Sequence, residues 1–209
     1  MRKIRIKTLV LGIVQNNCYI VGKPDSNEVV VIDPGDNANR IYKYLTENDL
    51  ECKAILLTHG HFDHITAAPE LKRLTDAPIY AHEEEADLLG DPELNVSAHM
   101  GGGISLRPDV AVRDNDMLEL AGLTWKVIHT PGHTGGGVCY FLEEYKMVFS
   151  GDTLFYESVG RTDFPTGSHR ILIESIQNRL MSLPDDTEVY PGHGRPTTIG
   201  HERVFNPYL

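Results

Sequence analysis

Cysteine is scarce. Cys18, Cys52 and Cys139 are the three in 209 residues, an odd number without a C-x-x-C pair, so neither a disulfide framework nor a thiolate zinc site is indicated. A reducing cytoplasm suits such thiols. Positive charge is also in short supply: Lys and Arg number 19 against 30 Asp and Glu, a formal net charge of −11. That balance argues against binding to nucleic acid or an anionic membrane, both of which select clustered cations, and leaves room only for a local basic pocket. No apolar run approaches the roughly 18 residues that span a bilayer. Arg2, Lys3, Arg5 and Lys7 followed by apolar residues 9–14 imitate a secretory signal, but Gln15-Asn16-Asn17 interrupt the run and no small-residue cleavage site follows. Linkers, low-complexity stretches and fixed-period repeats are missing too. At roughly 100–200 residues per domain, residues 1–209 read as one domain.

Short, β-branched apolar runs at residues 18–21, 28–32, 54–57, 78–81, 123–128, 138–141, 147–149 and 188–190 read as strands. Ile4, Ile6 and Thr8 alternate with charges and read as a first strand with one solvated face. Helical candidates cover residues 37–48, 69–74, 83–89 and 169–181, the last with Ser168 as N-cap. Strands and helices alternate in groups, so the class is mixed α/β. The stretch from Gly90 to Asp116, with Gly101-Gly102-Gly103, is the least regular and reads as a mobile flap or a glycine-rich surface loop.

Histidine, by contrast, is abundant, with ten residues. Several stand directly after strands: Thr58-His59-Gly60-His61-Phe62-Asp63-His64 after Leu57, Pro131-Gly132-His133 after the strand ending near Ile128, and Pro191-Gly192-His193 after Tyr190, while Phe149 runs into Ser150-Gly151-Asp152. Side chains at the carboxyl ends of strands converge on one crevice in α/β folds. Imidazole and carboxylate donors without thiolate suit zinc first, then iron or manganese. The candidates are too many for one tetrahedral ion, so two divalent ions are expected. In an extended turn His59 and His61 point to one side, and Asp63 and His64 come one step later. This sorting assigns His59, His61 and His133 to one ion and Asp63, His64 and His193 to the other, with Asp152 as the bridging carboxylate. Two cations about 3.5–4 Å apart trap a hydroxide and stabilise negative charge on a substrate oxygen. His82, His99, His129, His169 and His201 lack this spacing and read as structural or solvated.

These motifs, with Asn17-Cys18-Tyr19-Ile20 and Ile32-Asp33-Pro34-Gly35, resemble those of a metallo-β-lactamase-fold hydrolase in order and over essentially the whole chain. Within that superfamily the chain is most similar to the short glyoxalase II-like (hydroxyacylglutathione hydrolase-like) enzymes, including Gly160-Arg161-Thr162-Asp163-Phe164 and Thr197-Thr198-Ile199-Gly200. The resemblance implies a four-layer αβ/βα sandwich with the binuclear site at one edge and hydrolysis of a small-molecule thioester such as S-lactoylglutathione. Asp152 separates the chain from typical β-lactamases of this fold, and His61 stands where flavodiiron proteins carry Glu. Longer glyoxalase II enzymes add a C-terminal helical substrate domain; here 16 residues follow His193, so none is expected. Arg161 stands near a loop where those enzymes place a Lys, as a holder of an anionic substrate group or as half of an ion pair.

The implied mechanism is attack of the bridging hydroxide on the thioester carbonyl, with one metal polarising the carbonyl oxygen and a thiolate leaving. A thiol pKa near about 8.5 makes a general acid unnecessary. Asp63 either orients or deprotonates the water or serves as a ligand. A mononuclear iron persulfide dioxygenase of the same fold, using His59, His133 and Asp152, is the nearest rival. Against it stands Gly194-Arg195-Pro196, where those dioxygenases carry a pattern that includes a Tyr. A lactonase or other ester hydrolase, and a non-catalytic metal-binding interaction module, are the further readings.

Overall fold

Runs that are apolar at every position need a layer on each face, and this requirement organises the chain. The structure, a computed structural model, describes residues 3–100 and 102–209. The first half contains β1 (Arg5–Leu11), β2 (Asn16–Gly22), β3 (Glu28–Ile32), α1 (Ala38–Glu47), β4 (Glu51–Leu56), α2 (Phe62–Ile65), α3 (Ala68–Thr75), β5 (Ile79–His82), α4 (Ala86–Gly90) and β6 (Val110–Val112). The second contains β7 (Met117–Leu120), β8 (Leu123–His129), β9 (Val138–Leu142), β10 (Met147–Gly151), β11 (Leu154–Phe155), β12 (Ser158–Val159), α5 (His169–Ser175), β13 (Glu188–Pro191), β14 (Thr197–Thr198) and α6 (Ile199–Phe205). Strands β1 to β6 form one six-stranded sheet in chain order, and a second runs β14-β13-β10-β9-β8-β7. β11 and β12 make a separate hairpin.

Alternation along each strand assigns side chains to opposite faces. Cys18 and Ile20 of β2, Val29 and Val31 of β3, and Ile55 of β4 share a core with Ile41 and Leu45 of α1 and Leu71 of α3. Their neighbours Tyr19, Val21, Val30, Ile32, Ala54 and Leu56 meet Trp125, Val127, Tyr140 and Phe149 of the second sheet. Ile128, Cys139, Phe141 and Val148 turn to Leu172, Ile176 and Ile199 on the far side. Three cores between helices, sheet, sheet and helices make the expected four-layer αβ/βα sandwich. No helix among the described residues is long and apolar enough to cross a membrane.

The structure differs from the sequence reading in several places. β1 uses both faces: Ile4 and Ile6 lean on the inter-sheet core, whereas Leu9 and Leu11 join the core under α1. The cap position of Ser168 holds, but its side chain makes no capping bond; its carbonyl accepts from Leu172 N. The stretch from Gly90 to Asp116 is largely pinned. Asn95 is fully buried, its amide donates to Ile104 O (2.8 Å), and Ser97 Oγ accepts from Ile104 N (2.8 Å). Residues 110–112 enter the sheet as β6, while Met100 and Gly102 border a cleft. Gly101 and Arg2 lie outside the described residues.

Phe149 is fully buried between the sheets, with ring centroids of Tyr19 and Tyr190 at 5.2 Å and Trp125 at 5.7 Å. Phe149→Ala is expected to cost about 3–5 kcal/mol in urea unfolding. The part-exposed Ile171→Ala on α5 is expected to stay within about 1 kcal/mol.

Candidate metal centre

β4 of the first sheet and β8, β10 and β13 of the second each run into a turn, and the side chains of all four turns converge at one end of the strands. The β4 turn is extended only to His61 (φ −66°, ψ 148°), where α2 begins. Asp63 and His64 therefore sit on a helical turn, not in the extended segment that the spacing suggested; four residues are too few for a helical period to show. His64 N donates to His61 O (2.9 Å), and Phe62 N to Asn95 O (2.9 Å). The β13 turn is drawn in from far along the chain: Asn17 N donates to Gly192 O (2.7 Å), and the Asn17 amide to Pro191 O (3.0 Å) and Gly194 O (2.9 Å). Gly192 permits the closest approach, since a Cβ there would lie 2.3 Å from Asp152 Oδ1 and 2.6 Å from His64 Cε1.

All seven residues expected at the centre converge. His59, His61 and His133 bring one nitrogen each within 4.8 Å of one another, as do the ligand atoms of Asp63, His64 and His193, and those of His59, His64 and Asp152. His133 Nε2 lies 3.2 Å from His59 Nε2 and 2.9 Å from His61 Nδ1. Asp63 Oδ2 is 3.1 Å from His193 Nε2. Asp152 faces both groups, with Oδ1 3.3 Å from His64 Nε2 and Oδ2 3.7 Å from His133 Nε2 and 3.6 Å from His193 Nε2.

Partners on the outer side of each ring fix its tautomer. His133 Nδ1 donates to Arg161 O (2.7 Å), His193 Nδ1 to Val14 O (3.1 Å), and His64 Nδ1 to Asp33 Oδ2 (2.9 Å). Thr58 Oγ1 donates to Asp33 Oδ2 (2.6 Å), which leaves it to accept from His59 Nδ1 (3.2 Å). The Nε2 atoms of His59, His64, His133 and His193 therefore face inward, towards each other and towards carboxylate oxygens. His61 Nε2 and Asp152 Oδ1 are buried without a hydrogen-bond partner. Such a donor set is self-repelling until a cation enters, so the residues fit divalent metal ions.

Electrostatics agree. Burial, with His64 and His133 alongside, pushes His59 well below the usual histidine range, and burial with His133 lowers His61 to about 3. Burial opposes charge on His64, but Asp152, Asp63 and Asp33 together outweigh it and raise its pKa well above the ordinary value. Burial likewise acts against the charged forms of Asp63 and Asp152 and is overcome, chiefly by His64, so both are held low. The field that attracts a proton to His64 attracts a metal cation equally.

His82, Glu84 and His129 form another donor group, but the two rings stack at 4.0 Å with 18° between planes. No ion can lie in both ring planes of such a stack. His129 closes β8 and His82 closes β5, as structural histidines do. Arg161 stands at the rim, paired through two bonds of 2.7 Å with Asp163 and lying 3.9 Å over the Phe164 ring. Phe164 in turn meets His61 edge-on at 5.3 Å. Asp33 is the functional residue for which motif reading supplied no role. It adopts a left-handed φ of 50°, a conformation that short polar residues tolerate. Its carboxylate also accepts from Thr58 N (2.8 Å). The signal was available, since β3 ends in Asp33-Pro34-Gly35 just as the ligand-bearing strands end in Gly turns.

Comparison with known proteins agrees with this geometry. The profile of the Metallo-beta-lactamase superfamily matches residues 11–193. The chain is 36% identical over 209 residues to hydroxyacylglutathione hydrolase GloC of Haemophilus influenzae, covering 99% of this chain and 98% of that one. Among solved structures it is similar to BLEG-1 B3 metallo-beta-lactamase (40% identity, TM-score 0.93, 98% and 99% of the two chains) and to TTHA1623 in a di-iron-bound form (37%, 0.86, 97% and 100%). ETHE1 from Myxococcus xanthus follows at 31% and 0.82, covering 97% of this chain and 83% of that one.

Removing an outer-shell carboxylate usually costs 10–100-fold in metal affinity. Asp33→Ala is expected to weaken zinc binding by about that factor in a competition titration with a chromophoric chelator; unchanged affinity would remove Asp33 from the account.

Proposed function

Because this chain belongs to the metallo-beta-lactamase superfamily, we propose that its candidate centre hydrolyses a small-molecule thioester of an anionic thiol, S-lactoylglutathione being the type. The observation that carries the reading is Asp152, whose two oxygens face members of both three-residue groups. His59, His61 and His133 would hold one divalent ion, Asp63, His64 and His193 the second, and Asp152 would belong to both. Ions so held supply an activated water at neutral pH and stabilise negative charge on a substrate oxygen. Zinc is the first choice for this thiolate-free donor set, with iron or manganese as substitutes.

The chain's own residues orient and admit the substrate. Asp63, Asp152 and His193 are the least buried members of the centre, so substrate approaches from their side. There a cleft of about 480 Å³ opens, with Ile13, Val14, Phe62 and Met100 as apolar lining next to Asp63. Asp63 is accessible enough to orient a water as well as to ligate. One guanidinium group stands at the rim of the centre: Arg161, whose carbonyl accepts from His133 Nδ1 and whose side chain lies over Phe164, the ring that meets His61 edge-on. On a chain of net charge −11, a cation beside the centre supports an anionic substrate. Exposed ion pairs such as Arg161 with Asp163 are worth under about 1 kcal/mol and are readily given up to a ligand. A thiol leaving group needs no proton donor, which agrees with a centre built of inward-facing acceptors. Free, buried Cys18, Cys52 and Cys139 support a reducing cytoplasmic location.

One observation favours a second reading. His59, His133 and Asp152 also make a two-histidine, one-carboxylate set for a single iron, and the similarity to ETHE1 accompanies it. Metal analysis paired with thiol release from S-lactoylglutathione and oxygen uptake with glutathione persulfide separates the two. The proposal expects two ions per chain and thiol release without oxygen uptake. One iron with oxygen uptake would replace it by the dioxygenase; two ions with neither activity would leave a binding module, a lactonase or the lactam chemistry for which BLEG-1 is named to test. Asp152→Ala is expected to lower kcat/KM at least about 100-fold, since several kcal/mol of charge stabilisation are at stake. Arg161→Ala is expected to raise KM about 10-fold with kcat little changed.

A further inference from the structure

Glu85 ends a 3-10 turn (Glu83–Glu85) directly after β5. In the sequence it closes a run of three glutamates that resembles a solvated face. Its side chain instead turns inward and is 1% exposed. Oε1 accepts from Gly60 N and Oε2 from Gly136 N, each at 2.8 Å. Gly60 lies between His59 and His61 on the turn that leaves the first sheet. Gly136 lies three residues after His133, on the turn between β8 and β9 of the second. One carboxylate thus spans the two sheets at the edge where the three histidines must meet.

The fit leaves little room for an alternative occupant. A Cβ on Gly136 would stand 2.4 Å from Glu85 N and 2.6 Å from Glu85 Oε2, and one on Gly60 would stand 2.6 Å from Leu88 Cδ2. The two backbone N–H donors reach different oxygens of one side chain, and a carboxylate is the one side chain of this length that has an acceptor at both positions. A glutamine satisfies one N–H and turns its own NH₂ against the other. The arrangement is also costly: burial, opposed by the Gly60 N–H, Thr134 and the Gly136 N–H, pushes the Glu85 carboxyl up to about 7. A group that only filled space would be better apolar.

We propose that Glu85 is a positioning residue of the metal centre, holding the His59–His61 turn and the His133 turn at the separation that the three-histidine group requires. The inference rests on the two-ion reading above. Glu85 touches neither substrate nor ligand nitrogen; it acts through the two glycines.

The test is a zinc titration of chelator-stripped chain against a chromophoric chelator, for wild type, Glu85→Gln and Glu85→Ala, with the melting temperature of each zinc-free chain measured alongside. The exposed neighbour Glu84→Gln serves as control. Wild type is expected to take up two zinc ions. Both Glu85 variants are expected to lose about 10–100-fold in affinity at one site, with zinc-free Glu85→Gln melting close to wild type. The double variant His59→Ala/His133→Ala leaves the Asp63, His64 and His193 group, and adding Glu85→Gln to it is expected to change the remaining affinity by less than about threefold, because residues acting through one site are non-additive. If Glu85→Ala does not fold, the near-isosteric Glu85→Gln decides. Wild-type affinity at both sites in Glu85→Gln, or an equal loss in the His59→Ala/His133→Ala background, overturns the inference while leaving two-ion binding intact. A wild-type chain that takes up no zinc overturns both.

Discussion

Lone pairs and negative charges do not pack against one another without a cation. Five imidazoles and two carboxylates meet at one edge of this sandwich, and for four of the rings, all but His61, a group outside holds the orientation. The carbonyls of Arg161 and Val14, the Asp33 carboxylate and the Thr58 hydroxyl each take the outer ring hydrogen. The polarity of the rings is therefore set by main chain and second-layer side chains. Much of the fold at this edge serves that requirement.

Both sheets supply the centre because neither can do so alone. The first sheet delivers His59, His61, Asp63 and His64 from a single turn, and the second delivers His133, Asp152 and His193 from three. Joining them takes bonds that cross between sheets: Asn17 to the His193 turn, Val138 N to Thr58 O (2.8 Å), Tyr140 Oη to Leu57 O (3.0 Å), and the Glu85 carboxylate. The inter-sheet aromatic core of Tyr19, Trp125, Phe149 and Tyr190 lies behind them. Aromatic packing of this kind resists shear between layers, so the distance between the two ligand sets is a property of the core as well as of the edge.

Much of this was legible in the sequence, and the limits have physical causes. Strands buried on both faces announce themselves as apolar runs, and a histidine after a strand and glycine marks a strand-end site, so the converging residues could be named. Four-residue α2 could not be seen, since one turn has no periodicity, and β6 was hidden in an irregular stretch because three residues between polar neighbours carry no pattern. Glu85 was invisible for another reason: in the run Glu83-Glu84-Glu85, what distinguishes the third is contact with Gly136, 51 positions away. Non-local contacts of that kind leave no local trace. The internal bonds of the Gly90 to Asp116 stretch, Asn95 to Ile104 O and Phe62 N, were likewise not legible in its glycine-rich composition, while Met100 and Gly102 border the cleft beside Asp63.

Under the proposed function the substrate side is less constrained than the metal side, as Arg161 rests on the Phe164 ring and is exposed. On that proposal the buried edge sets the chemistry and the surface beside it the specificity, a division common to folds that host several reactions. The central claim, two ions held by these residues with Asp152 between them, is tested most directly by X-ray absorption spectroscopy of the zinc-loaded chain. The account predicts nitrogen and oxygen neighbours only, imidazole scattering, and a metal–metal vector at about 3.5–4 Å. A sulfur neighbour, or a fully loaded chain without a metal–metal vector, would contradict it.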